Sequence, residues 1–147
     1  MGGPGAGNAA GGRFELVEHT ADVAVEATAP TLDGVFAAVA DGLASAHVED
    51  VPDLGERFEV EETAESREAL LFDYLDRLIY ERDVRNVLPV DNEATVVDAD
   101  GEWHLKAAAR GVPVEAIAAR EVKAVTYSEM ALEETDDGWR AYVVFDV

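Results

Sequence analysis

Cysteine is absent from the 147 residues, which excludes a disulfide framework, a thiolate zinc site and a thiol nucleophile. Also missing is any apolar run approaching the about 18 residues that suggest a bilayer-spanning helix, and the N-terminus has neither the basic region nor the long apolar core of a signal peptide. A soluble, cytoplasmic protein without a membrane partner is expected. Lysine is scarce: only Lys106 and Lys123 accompany nine arginines. Direct binding to a phosphate backbone needs clustered basic side chains, and here they are scattered among carboxylates. No direct nucleic-acid contact is expected, so any action on RNA would pass through another protein.

What abounds is negative charge. The 32 Asp and Glu against 11 Lys and Arg leave a formal net charge of -21. Such a surface repels itself at low ionic strength and is tolerated where concentrated salt cuts the screening length to about 3 Å. The excess reads as adaptation to a salt-rich cytosol of the halophilic archaeal kind rather than as a message about a partner. The length suits one domain that can bury a sizeable core without staples.

Residues 1–12 hold six glycines, one proline and no large apolar group except Met1. They are expected to form a mobile, disordered tail, with the folded domain at 13–147. Two alternating segments follow, Phe14-Glu15-Leu16-Val17 and Val23-Ala24-Val25-Glu26-Ala27, and read as strands. Thr31 is a good N-cap for a helix whose buried stripe is Leu32, Val35, Phe36, Val39 and Leu43, with Asp33, Asp41 and the glycines on its polar side. Arg57 to Glu61 alternates as an outer strand. Ser66 caps a second helix with Leu70, Leu71, Tyr74, Leu75, Leu78 and Ile79 inward. Its wet side is Glu68, Asp73, Asp76, Arg77 and Glu81. The period then returns to two in Val87–Val90, Thr95–Val97 and Trp103–Ala107, with a hairpin signal at Asp98-Ala99-Asp100-Gly101. Glu115 to Arg120 could be a short helix or an irregular connection. Val122 to Glu133 and Trp139 to Val147 flank a turn at Thr135-Asp136-Asp137-Gly138. Two amphipathic helices among eight or nine strands make an α+β pattern, a single compact domain of mostly antiparallel sheet.

Three stretches carry chemistry. His19-Thr20-Ala21-Asp22 is a polar break between the first two strands and sets Asp22 at a strand start, where an aspartate can cap its own turn or be held as a ligand. Phe145-Asp146-Val147 closes the sequence with one side-chain and one terminal carboxylate, so three carboxylates converge if the last strand pairs beside the first. Between them lies Glu121-Val122-Lys123-Ala124-Val125-Thr126-Tyr127-Ser128. A lone strand lysine is usually a solvated charge. One retained where lysine has almost vanished suits a phosphate or a shared carboxylate. Either Val122, Ala124 and Thr126 or Lys123, Val125 and Tyr127 could face inward. His19 suits a supporting role that orients the carboxylate. His47 reads as a packing or helix-terminus residue and His104 as a strand residue. Tyr127 and Ser128 could line the site or fill the hairpin.

Together, in this order and with the last at the C-terminus, these stretches resemble the archease family from Arg13 to Val147. The glycine that often follows the valine after the family's first motif is Ala24 here. The resemblance implies an activator of the tRNA-splicing RNA ligase that promotes guanylylation of the ligase's active-site histidine and multiple turnover, and that is not itself an enzyme. It also implies a divalent metal, calcium with magnesium or manganese as alternatives, held by Asp22, Asp146 and Val147. The lysine that matters for activation corresponds to Lys123. Calcium takes six to eight oxygens at ~2.3–2.6 Å, so these ligands fill only part of a shell and leave positions open. Without metal, Lys123 or another cation must relieve the repulsion between the carboxylates. Two other readings remain, a metal-dependent hydrolase using Asp22 and Asp146, and an acidic chaperone-like scaffold.

Overall fold

The computed structural model describes residues 11–18, 22–48, 50–117 and 122–147. In chain order these form β1 (Arg13–Glu18), β2 (Asp22–Ala29), α1 (Leu32–His47), β3 (Glu56–Ala64), α2 (Arg67–Arg85), β4 (Val87–Ala99), β5 (Glu102–Pro113), a single 3-10 turn (Val114–Ala116), β6 (Ala124–Thr135) and β7 (Gly138–Asp146). The strands make two antiparallel sheets, β1-β2-β7-β6 and β3-β5-β4, and each helix touches both. The α+β expectation holds. Of the expected 1–12 tail, residues 1–10 lie outside the described residues, and Gly11 and Gly12 lead into β1.

Local chemistry places the ends of the elements. Thr31 Oγ1 accepts from the Gly34 N–H at 3.0 Å and Ser66 Oγ from the Ala69 N–H at 3.1 Å, so both expected N-caps close their helices. α2 ends at Asn86 in the left-handed conformation, φ 55°, where asparagine is tolerated. Asp100 and Gly101, both at positive φ, turn β4 into β5 as a tight hairpin demands. The chain has seven strands among the described residues rather than eight or nine, because Val87–Val90 and Thr95–Val97 belong to one strand, β4. A bulge rather than a turn separates them: the register with β5 shifts between Val90 and Glu93, and Asp91 takes φ 50°.

That bulge explains a second difference. The polar side of α1 does not face solvent. Asp33 Oδ1 accepts from the Val96 N–H at 2.8 Å, and Asp41 Oδ1 accepts from the Asn92 N–H at 3.0 Å and Asn92 Nδ2 at 2.9 Å. Two aspartates, two helical turns apart, thus satisfy donors on the free edge of β4 and cover it. The opposite side of α1 packs so closely on β2 that a Cβ on Gly42 would lie 2.5 Å from Val25 Cγ1. Glu81, expected on the wet side of α2, is buried between Arg77 and Arg85 and bonds both. The core between the sheets is filled by Phe36, Tyr74, Leu70, Leu71, Leu75, Leu105 and Phe145.

Candidate functional site

The terminal strand pairs with β2, leaving β1 at the sheet edge. The register is continuous from Ala29↔Trp139 to Asp22↔Asp146. The hydrophobic pattern explains it: Val23, Val25 and Ala27 oppose Phe145, Val143 and Ala141, and all six are buried in the main core. Slipping by one residue would turn this apolar set to the other face. Asp22 and Asp146 are thereby set directly opposite each other on the face away from α1, at the open end of the ladder. Directly opposed side chains have Cβ atoms about 4.5–5.5 Å apart, so two like charges face each other at this end of the ladder.

On the far side of β7, Ala124 of β6 is the partner of Asp146. The residue before it, Lys123, donates its main-chain N–H to the Asp146 carbonyl at 2.8 Å. The Lys123 side chain is exposed, and among the described residues no ion pair engages it. Val147, next after Asp146, packs against the core while staying half-buried. Asp22, Asp146, Val147 and Lys123 are therefore neighbours on one end of three adjacent strands. His19 and the Thr20-Ala21 break lie outside the described residues, as does Glu121.

The donors fit a hard divalent cation. Oδ1 of Asp22 is shielded from solvent and has no hydrogen-bond partner among the described residues. A buried carboxylate oxygen without a donor is costly, and a like charge opposite it adds to the cost. A cation bound by both carboxylates removes both penalties, and oxygen donors suit calcium or magnesium. No group of three or more Asp, Glu or His side chains that could hold an ion occurs among the described residues. Among the described residues, main-chain oxygen would add to the two carboxylates in such a shell.

The facing of β6 follows neither alternation expected. Val122 is fully buried and Val125 nearly so, with exposed Lys123 between them. The strand pleat begins only at Ala124, so Val122 enters the core from the connection instead. Beyond Thr126 the register with β7 shifts as far as Ala131, and Glu129 takes φ 57°. The irregularity carries Tyr127 away from the carboxylates and onto α2. There it stacks on Phe72 with ring centroids 4.0 Å apart, 56 % exposed. Ser128 donates its N–H to Thr126 Oγ1. His104 lies 3.4 Å from Thr63 Oγ1 on the other sheet.

Arg82 does meet the site's main chain, with His47 behind it. An Arg82 terminal nitrogen donates to the Val122 carbonyl and lies 2.9 Å from His47 Nε2. Sequence reading gives Arg82 no role, because an arginine in a last helical turn looks like a dipole complement and its target is 40 residues further along the chain.

Comparison with known proteins identifies the family. The archease protein family (MTH1598/TM1083) matches residues 14–147. The chain is 34% identical over 142 residues to the protein archease of Methanosarcina acetivorans, covering 93% of this chain and 97% of that one. It is 36% identical over 141 residues to the protein archease of Thermococcus gammatolerans, covering 92% and 99%. The solution structure of Methanobacterium thermoautotrophicum protein 1598 superposes with a TM-score of 0.80 at 29% identity, over 91% of this chain and 98% of that one. A Thermotoga maritima crystal structure described as an archease and possible chaperone shares the fold, with a TM-score of 0.60 at 24% identity over 89% and 94%. A family match over nearly the whole folded chain, with the strand ends of the matched region meeting at one site, leads to one conclusion: the chain belongs to the archease family.

Proposed function

We propose that this archease activates a tRNA-splicing RNA ligase, promoting guanylylation of the ligase's active-site histidine and so allowing multiple turnover. The observation that carries the reading is the meeting of Asp22, Asp146 and Lys123 at one end of the β2-β7-β6 ladder. Residues from three separated stretches of the sequence are held there by main-chain pairing, with little side-chain machinery of their own.

Asp22, Asp146 and a main-chain oxygen of Val147 are the groups that would hold a divalent cation, calcium being favoured by their all-oxygen character. A bound cation of this kind supplies charge neutralisation and open positions for oxygen ligands from phosphate or carboxylate. The chain's own residues do the rest. Asp22 presents a shielded oxygen without a hydrogen-bond partner among the described residues. Asp146 is locked at the main chain by the Lys123 N–H. The Lys123 ammonium, a compact charge on a flexible stem, reaches outward to an anionic partner group. The strongly acidic surface keeps RNA away from the activator, so substrate contact belongs to the ligase, in the cytoplasm.

The test is multiple-turnover ligation by an RNA ligase from a salt-loving archaeon in molar KCl, with and without the native chain. Folded Asp22→Ala, Lys123→Ala and Asp146→Ala variants serve as controls. Restoration of turnover by the native chain and not by the variants supports the reading. Ligation indifferent to the native chain, under salt in which it is folded, overturns it.

A further inference from the structure

We infer that Arg82, oriented by His47, is a positioning residue for Lys123, an inference that rests on the proposed activating role of that lysine. The contacts run in one line across three elements. The Leu43 carbonyl, on α1, lies 2.9 Å from His47 Nδ1. A carbonyl only accepts, so Nδ1 carries the proton and Nε2 presents its lone pair as an acceptor. Arg82, which only donates, points one terminal nitrogen at that lone pair from 2.9 Å and donates from the same nitrogen to the Val122 carbonyl. Its remaining nitrogens meet Asp83 Oδ1 at 2.9 Å. The guanidinium is thus held at several points, with its side chain only 10% exposed.

The Val122 carbonyl and the Lys123 N–H belong to one planar peptide group. Arg82 grips its oxygen from α2, and the Asp146 carbonyl grips its N–H from β7 at 2.8 Å. With both ends tethered this plane is fixed, and with Ala124 paired to Asp146 on the other side the direction in which the Lys123 side chain leaves the main chain is restricted. A four-carbon stem is otherwise free to wander, and anchoring its root raises the fraction of time that the ammonium spends where it is needed. Capping of α2 does not explain this arginine, because Asn86 donates its own N–H to the Arg82 carbonyl at the helix end while the side chain reaches a different element. Lysine cannot replace it, since one ammonium does not reproduce the planar fork.

Arg82→Met and His47→Gln, each alone and with Lys123→Ala, are compared in ligase guanylylation and in amide hydrogen exchange of Lys123 followed by NMR. The expected result is a maximal rate roughly tenfold lower for Arg82→Met, in the range typical for loss of a supporting residue, with the half-saturating concentration little changed. Its Lys123 amide exchanges faster, and Arg82→Met adds no further loss on top of Lys123→Ala, because both changes act through one group. His47→Gln gives a smaller loss in the same direction and serves if Arg82→Met does not fold. A folded Arg82 variant with native Lys123 exchange, or losses that simply add, overturns the inference. If the native chain does not stimulate the ligase at all, the activating role is what has failed, and faster or unchanged exchange of the Lys123 amide still decides whether Arg82 positions it.

Discussion

Asp22 and Asp146, near opposite ends of the sequence, are directly paired in the β2–β7 ladder, with a shielded oxygen on Asp22 that has no hydrogen-bond partner among the described residues. The pairing follows from the hydrophobic register behind them, which has no tolerance for a one-residue slip. The fold therefore sets two like charges opposite each other across the ladder, an arrangement that is unfavourable unless a cation or a partner's basic group completes it.

Calcium is accordingly expected to raise the melting temperature of the native chain and to leave an Asp22→Asn/Asp146→Asn double variant unmoved. In chelator the order reverses. The double variant gains roughly 0.2–1 kcal/mol from relief of the like-charge pair. Thermal melts across a calcium titration at fixed KCl measure both effects, and a double variant still stabilised by calcium would place the ion elsewhere.

Gly42 is where α1 comes closest to β2. An added Cβ would sit 2.5 Å from Val25 Cγ1 and 3.3 Å from Phe14 Cβ, and Val25 is fully buried with a stiff, branched side chain. Gly42→Ala should therefore lose about 1–3 kcal/mol in urea unfolding through overpacking, despite the ~1 kcal/mol that alanine ordinarily gains over glycine inside a helix. A stabilised variant would show that the helix can lift away freely.

Burial pushes the Asp41 carboxyl above the ordinary aspartate range, against the opposing effect of its hydrogen bonds from Asn92. A raised acid favours the folded state while protonated, so its contribution is complete below the unfolded value, about 3.9. That contribution is lost as pH rises through the higher folded value. Asp41→Asn retains an acceptor for Asn92 and removes the titration. Its stability relative to the native chain should grow from acid to neutral pH, as read from denaturant midpoints across that range.

Glu81 has the opposite sign. Burial alone would raise its carboxyl, but hydrogen bonds from Arg77 and Arg85 outweigh it and hold the group below the usual glutamate range. Its stabilisation is present above the unfolded value and lost as pH falls through the depressed one. Glu81→Gln should cost about 1–3 kcal/mol at neutral pH, and the difference from the native chain should shrink on acidification. An undiminished difference at low pH would assign the loss to packing rather than charge.

Much of this was legible in the chain itself, wherever a signal is local. Thr31 and Ser66 announce the helix starts because a cap bonds an amide only three residues on. Asp100-Gly101 and the Asp136-Asp137-Gly138 stretch mark turns because few residues accept the required backbone. The apolar periods separate helix from strand, and the three motifs bearing Asp22, Lys123 and Asp146 stand out in a chain nearly free of lysine. Only the tertiary structure decided that the last strand lies on β2 and not on β1, that Asp33 and Asp41 face the edge of β4, and that Glu81 is buried. It also decided that Val122 enters the core while Tyr127 is carried onto α2, and that Arg82 grips the peptide before Lys123. These depend on which elements become neighbours and where a bulge falls. Such choices are made by the packing of the whole core, through contacts between residues far apart in sequence, and no local spacing encodes them.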